Sequence, residues 1–372
     1  MPNARLPQEI VDYIIDLLRN QTRTLIQCSL VSKSWVPRTR KHLLRTIMFE
    51  FRSELAAWEK AFPNPLDSPA SYTRFLGVGH ARVVAAISEE CGWIKSFSGV
   101  VRLKIWSYSE TLSPSKVFTI ICSLPLLKDL DITCRRIGSY DHEDIPLQYP
   151  ASPPLTGTLE LCWARGIEAT ARRLLNLPNG IHFRRIDCTW YREDDLRWIQ
   201  ALVDGCADTL QYFCIRVKRI LIVTPHVFTL QVAYIDFSRA TRLKAVAFQL
   251  EDLSDVSAVM ALKTLTSDHR DLQEITICLP EDDSVYDRQK TGEVHRQWVD
   301  LDFFLARLWK LNAFRPWLIY TTGEEEEACE LAVWLLPEMT KRRVVKLVAS
   351  GFSSDVDWHR GDIIWHLSSY YT

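Results

Sequence analysis

A chain of 372 residues is too long for one small core and calls for two domains or a repeat array. A hydrophobic share of 47% with 24% charged residues is ordinary globular composition and excludes long disordered arms. The net charge of −1 excludes a global pull toward nucleic acid or an anionic membrane, so any charged recognition is local.

The 10 cysteines are scattered, with no Cys-x-x-Cys, so they form no metal knuckle. The chain is also too long to need a disulfide scaffold. Reduced thiols serving as small apolar residues are expected, which fits the cytoplasm or nucleus. The opening "MPNARLPQEI" lacks the apolar core of a signal peptide. The longest uncharged run, "ILIVTPHVFTLQVAYI" (220–235), contains Pro225, His226 and Gln231 and is no membrane span.

In chain order, "LPQEIVDYIIDLLRN" predicts a first helix with Ile10, Ile14, Leu17 and Leu18 on one face. Pro7 suits its first turn, and Glu9 favours the positive end of the helix dipole. A second helix follows in "TLIQCSLVSKSWVPRTR", carrying Leu25, Cys28, Val31 and Trp35 at the same period, and Pro37 breaks or bends the chain. Helices this short cannot bury both apolar faces alone. The partner is either the rest of the chain or another protein.

Leu6-Pro7-x-Glu9-Ile10, then Ile14, Leu17, Leu18 and Leu25, then Cys28-Ser29-Leu30-Val31-Ser32-Lys33 and Trp35 resemble an F-box over roughly residues 5–45. The resemblance implies docking of Leu6, Pro7, Glu9, Ile10, Ile14, Leu17, Leu18, Leu25, Cys28, Leu30, Val31 and Trp35 on the Skp adaptor of a Skp–cullin–F-box ubiquitin ligase. The alternative is a helical cap that covers the following domain.

Beyond Trp35 come short segments of the form apolar-x-x-apolar-x-apolar. Their middle residues are Ile47, Leu76, Leu103, Leu130, Leu159, Ile186, Phe213, Val246 and Ile275, at steps of 27 to 33 residues. Helix-like stretches alternate with them at 113–124, 166–177, 194–206 and 252–268. A strand plus a helix at this period resembles leucine-rich repeats: parallel strands on a concave side, helices on the convex side. The asparagine of that pattern is replaced by Tyr108, Arg135, Ala164, Tyr191, Lys218, Glu251 and Pro280, so the repeats are expected to be irregular. A non-repetitive α/β domain is the other reading. F-box plus degenerate repeats is similar to the large F-box families of mushroom-forming fungi.

The expected fold class is therefore α/β: an F-box-like helical module (1–45), a leucine-rich-repeat-like solenoid (46–280), and closing repeats with a cap (281–372). In the last region, 295–311 and 324–339 predict amphipathic helices and 343–350 a last strand. The acidic "EDDSV" (281–285) reads as a solvated loop.

No motif for bond chemistry stands out. There is no Gly-x-Ser-x-Gly, phosphate loop or His-Glu-x-x-His. "GVGHAR" (77–82) lacks the third glycine of a dinucleotide fingerprint, and "YDHEDI" (140–145) has no second ligand set for a metal. No catalytic role, cofactor or metal is expected. The expected partners are the adaptor, through it a cullin, and a target protein, with no nucleic acid and no membrane.

Strand parity turns Asp131, Glu160 and Asp187 outward onto the concave side as an acidic column. Either Arg135 and Arg185 neutralise it from within, or it takes a Lys/Arg-bearing segment of the target. In the second case Lys104, Trp106 and Tyr108 border it on one side and Arg216 and Lys218 on the other.

Overall fold

The computed structural model describes residues 6–89, 91–108, 110–134, 137, 153–162, 167–190, 193–217, 234–250, 256–278, 292–312, 315–320, 332–342 and 345–349. The chain divides into two compact units, Met1–Leu243 and Lys244–Thr372.

The first unit opens with three helices: α1 (Gln8–Leu17), α2 (Thr22–Val31) and α3 (Val36–Leu43). Pro37 starts the third helix, in its first turn where a missing N–H costs nothing, and does not end the second. Val11, Ile15 and Leu25 form a small core, with half-buried Leu18, Trp35 and Leu43 packed on it. Asp16 ties α1 to α3, accepting from Arg38 Nε (2.6 Å) and Arg38 Nη2, and meeting His42 Nε2 at 2.7 Å.

Strands and helices then alternate: β1 (Thr46–Phe49), α4 (Arg52–Ala61), β2 (Phe75–Gly79), α5 (Ala81–Glu89), α6 (Cys91–Ile94), β3 (Arg102–Ser107), α7 (Pro114–Cys122), β4 (Asp129–Cys134), β5 (Thr158–Cys162), α8 (Ile167–Leu175), β6 (Arg185–Trp190), α9 (Glu193–Gly205) and β7 (Tyr212–Val217). Each of these strands pairs in parallel with the next in sequence. The predicted middle residues stand opposite one another: Ile47–Leu76–Leu103–Leu130–Leu159–Ile186–Phe213. Right-handed crossovers laid down in one direction put every connecting helix on one side of the strands. That side is apolar and buried through Leu76, Val78, Leu103, Ile105, Leu130 and Ile132. The other side is called the open face below.

A backbone joint recurs two residues before each middle residue. The carbonyl of Arg45 accepts from Arg74 N and Phe75 N, that of Arg74 from Val101 N and Arg102 N, and that of Val101 from Lys128 N and Asp129 N. The carbonyls of Gly157 and Arg184 do the same for the strands that follow them. At β4 to β5 the joint is modified. Lys128 O takes Gly157 N, and the Asp129 carboxylate takes Thr158 N at 2.7 Å. A Cβ on Gly157 would lie 2.0 Å from Asp129 Oδ1, so any larger residue there has to push the Asp129 carboxylate aside.

The second unit contains β8 (Ala245–Gln249), α10 (Val256–Leu262), β9 (Glu274–Cys278), α11 (Gly292–Asn312), β10 (Arg315–Tyr320), α12 (Pro337–Lys341) and β11 (Lys346–Ala349). β8 to β11 are parallel, in sequence order, with Val246 opposite Ile275. One strand stands outside the expectations, and one expected helix is corrected. β10 was unread, because Pro316 inside "RPWLIY" argues against a strand. The helix expected over 324–339 does not run through to its end: Pro337 cannot continue one and starts α12 afresh. The buried Asp302 of α11 caps that new start by accepting from Glu338 N and Met339 N.

Candidate functional site

Two surfaces of the first unit gather the residues singled out above. The first is the outer face of α1 and α2. Leu6, Ile10, Ile14, Leu17, Leu30 and Val31 are between 38% and 82% exposed, and Pro7 and Glu9 are exposed as well. Tyr13 and Ile26 join the same exposed apolar set. They were missed, although each stands four residues before a chosen leucine, Leu17 and Leu30.

Other members of the expected docking set are corrected. Leu25 and Cys28 are buried inside the helical module, and Leu18 and Trp35 pack on its core. Leu18 therefore does not share a face with Ile10, Ile14 and Leu17. α1 carries two apolar stripes, 10/14/17 outward and 11/15/18 inward, and periodicity alone does not rank them.

The second surface is the open face of β1–β7, whose side chains form rows across the strands. One row runs Met48, Gly77, Lys104, Asp131, Glu160, Asp187, Cys214. The next row toward the strand C-termini contains Gly79, Trp106, Thr133 and Cys162, then Thr189 opposite Arg216. Lys104, Trp106, Asp131, Glu160, Asp187 and Arg216 are thus brought together. Tyr108 lies exposed just past β3. Lys218, Arg135 and the acidic stretches 140–145 and 281–285 lie outside the described residues.

The acidic column is real in register but not exposed. Asp131, Glu160 and Asp187 are 2%, 7% and 4% accessible. Each has a cation at hand: Lys104 Nζ at 2.9 Å from Asp131, Arg185 Nη2 at 3.3 Å from Asp187, and Arg102 Nη2 at 3.6 Å from Glu160. Neutralisation from within, through Arg185 and also Lys104 and Arg102, is what the geometry contains. Burial lowers the Lys104 ammonium, but the facing Asp131 more than offsets this and leaves it raised. Burial, then Asp131 and Asp187 on either side, push the Glu160 carboxyl up to about 7, and Arg102 and Arg185 pull it back only in part.

Trp106 is corrected too. It is buried and borders nothing in solvent, because its indole lies flat over β2: a Cβ on Gly79 would meet it at 2.8 Å and one on Gly77 at 3.0 Å. The two glycines of "GVGHAR" therefore serve packing.

The described cysteines are free thiols. Burial pushes Cys122, Cys162 and Cys206 up to about 12, so they are poor nucleophiles. Among the described residues no cluster of three His, Cys, Asp or Glu is disposed to hold a metal, and no helix is long and apolar enough to cross a membrane. No protein-family model matches the chain, and no curated protein matches it.

Proposed function

We propose that the protein is the substrate-recognition subunit of a Skp–cullin–F-box ubiquitin ligase, acting in the cytoplasm or nucleus. Residues 1–45 act as the F-box, docking on the adaptor and through it on a cullin. The strand–helix units act as an irregular leucine-rich-repeat solenoid whose open face captures a target protein. In this reading the chain performs no bond chemistry and needs no cofactor; it holds the target where an associated conjugating enzyme reaches its lysines.

The observation that carries the reading is the outward stripe Leu6, Ile10, Ile14, Leu17, Leu30 and Val31, left exposed although the module already has its own core. Contiguous exposed apolar side chains of this kind mark an interaction surface. Burying each fully is worth about 1.5–3 kcal/mol. The carbonyl joints, recurring at five of the six junctions from β1 to β7, support the repeat reading, since each unit then leans on its neighbours.

A scaffold whose helices only cap the array is the second reading. It predicts the same stripe turned inward, and the exposure of Ile10 and Ile14 weighs against it. The test is co-purification with a Skp adaptor. Ile10→Asp with Ile14→Asp is expected to abolish it while the strand units stay folded. Retention of the adaptor by the double variant refutes the assigned docking face.

A further inference from the structure

Three strands carry an acid followed two residues later by threonine: Asp131-Ile132-Thr133 in β4, Asp187-Cys188-Thr189 in β6 and Glu274-Ile275-Thr276 in β9. In two of them the pair closes on itself. Thr133 Oγ1 donates to Asp131 Oδ1 at 2.9 Å, and Thr276 Oγ1 donates to Glu274 Oε1 at 3.0 Å. In β6 it does not. Asp187 Oδ1 and Thr189 Oγ1 are both buried and have no hydrogen-bond partner among the described residues. Strand alternation turns both onto the open face, beside Glu160 on β5, which stands opposite Asp187.

Glu160 is only loosely paired. Its ion pair with Arg102 spans 3.6 Å, beyond hydrogen-bond reach. Arg102 reaches it from β3, across the whole of β4, with its guanidinium over the Phe75 ring and its side chain 44% exposed. A buried acceptor left unpaired is costly, and Asp187 Oδ1 with Thr189 Oγ1, beside the loosely paired Glu160, call for a ligand with several donors.

We infer that Glu160, Asp187 and Thr189 form a subsite for one cationic side chain of the captured target, a guanidinium or an ammonium, with Arg102 the tethered group that it displaces. The subsite rests on the reading of the open face as the capture surface. A side chain reaching it passes the half-buried row of Arg102, Asp129, Thr158, Arg185 and Tyr212.

Capture is coupled to a proton. The groups facing Glu160 are Arg102 and Lys104 from β3, Asp129, Asp131 and Thr133 from β4, Cys162 from its own strand, Arg185, Asp187 and Thr189 from β6, and Cys214 and Arg216 from β7. On binding, Arg102 at 3.6 Å gives way to a cation seated within hydrogen-bond reach, and this closer positive charge makes the Glu160 carboxyl give up its proton to solvent. With that carboxyl held near 7, binding is expected to be about tenfold weaker at pH 6 than at pH 8.

The probe is N-acetyl-argininamide, titrated into the full chain and followed through the 13C carboxyl resonance of Glu160, with N-acetylglycinate as the anionic counterpart. Saturable binding, tenfold weaker at pH 6, supports the subsite, as does tighter binding by Arg102→Ala and weaker, pH-independent binding by Glu160→Gln. Absence of argininamide binding overturns it, and so does an Arg102→Ala variant that binds no tighter. Preferential binding of the carboxylate probe, lost in Arg102→Ala, overturns it in favour of an anion site. None of these outcomes touches adaptor co-purification, so failure of the subsite and failure of the ligase reading remain distinguishable.

Discussion

Gly79 shows how a single residue fixes the open face. With no Cβ it lets the Trp106 indole lie on the strand, and alanine would place a carbon 2.8 Å from that ring. Gly79→Ala is expected to cost about 1–3 kcal/mol by overpacking, read as a lower denaturation midpoint with an unchanged denaturant dependence.

Glu160 makes the opposite kind of statement, about charge. Its carboxyl is raised from 4.5 to about 7, so the folded chain holds the proton more tightly than the unfolded one. That contribution is complete below about pH 4.5 and is lost as pH rises through 7. Glu160→Gln keeps the neutral form throughout. Its stability is therefore expected to match the parent chain near pH 4.5 and to exceed it at pH 8, by on the order of 2–3 kcal/mol. Parallel stability profiles for the two chains across this range would contradict the assignment.

Among elements, α1 is the most instructive, because six of its apolar neighbours fall in two stripes with identical spacing. The sequence marks both and ranks neither. What separates them is the partner each meets: 11/15/18 find Leu25 and Trp35, and 10/14/17 stay exposed. Asp16 adds a polar staple from α1 to α3, and its hydrogen bond from Arg38 holds its carboxyl far below the usual carboxylate range, against the opposing effect of burial. A depressed carboxyl contributes stability above its unfolded value, lost as pH falls through the folded one. Asp16→Ala is expected to speed amide exchange in α3 at neutral pH while leaving β3 and β4 unchanged.

The joint between β4 and β5 offers the matching test for the strand units. Gly157→Ala forces Asp129 off the Thr158 amide. Because each unit leans on its neighbours, exchange in β4 and β5 is expected to rise well above that in β1 and β2. Uniform protection across all the strands would show that the joint carries little.

At the scale of the molecule, the strand centres were legible because each repeats one apolar pattern at a near-constant step, and burial on the helix side selects that pattern wherever it recurs. β10 escaped because Pro316 stands opposite Ile275, where a middle apolar residue was sought. The open-face site was half legible. Parity placed Asp131, Glu160 and Asp187 in one row, but burial and the reach of Arg102 across β4 depend on side-chain paths that spacing does not encode.

On the proposed reading, residues 6–31 present a docking face for a Skp adaptor. Backbone hydrogen exchange on the full chain, with and without purified adaptor, tests this most directly. Protection is predicted to appear in α1 and α2, centred on Ile10, Ile14 and Leu30, with β2 to β7 unchanged. No protection in those helices at saturating adaptor, or protection confined to the strand units, would contradict it.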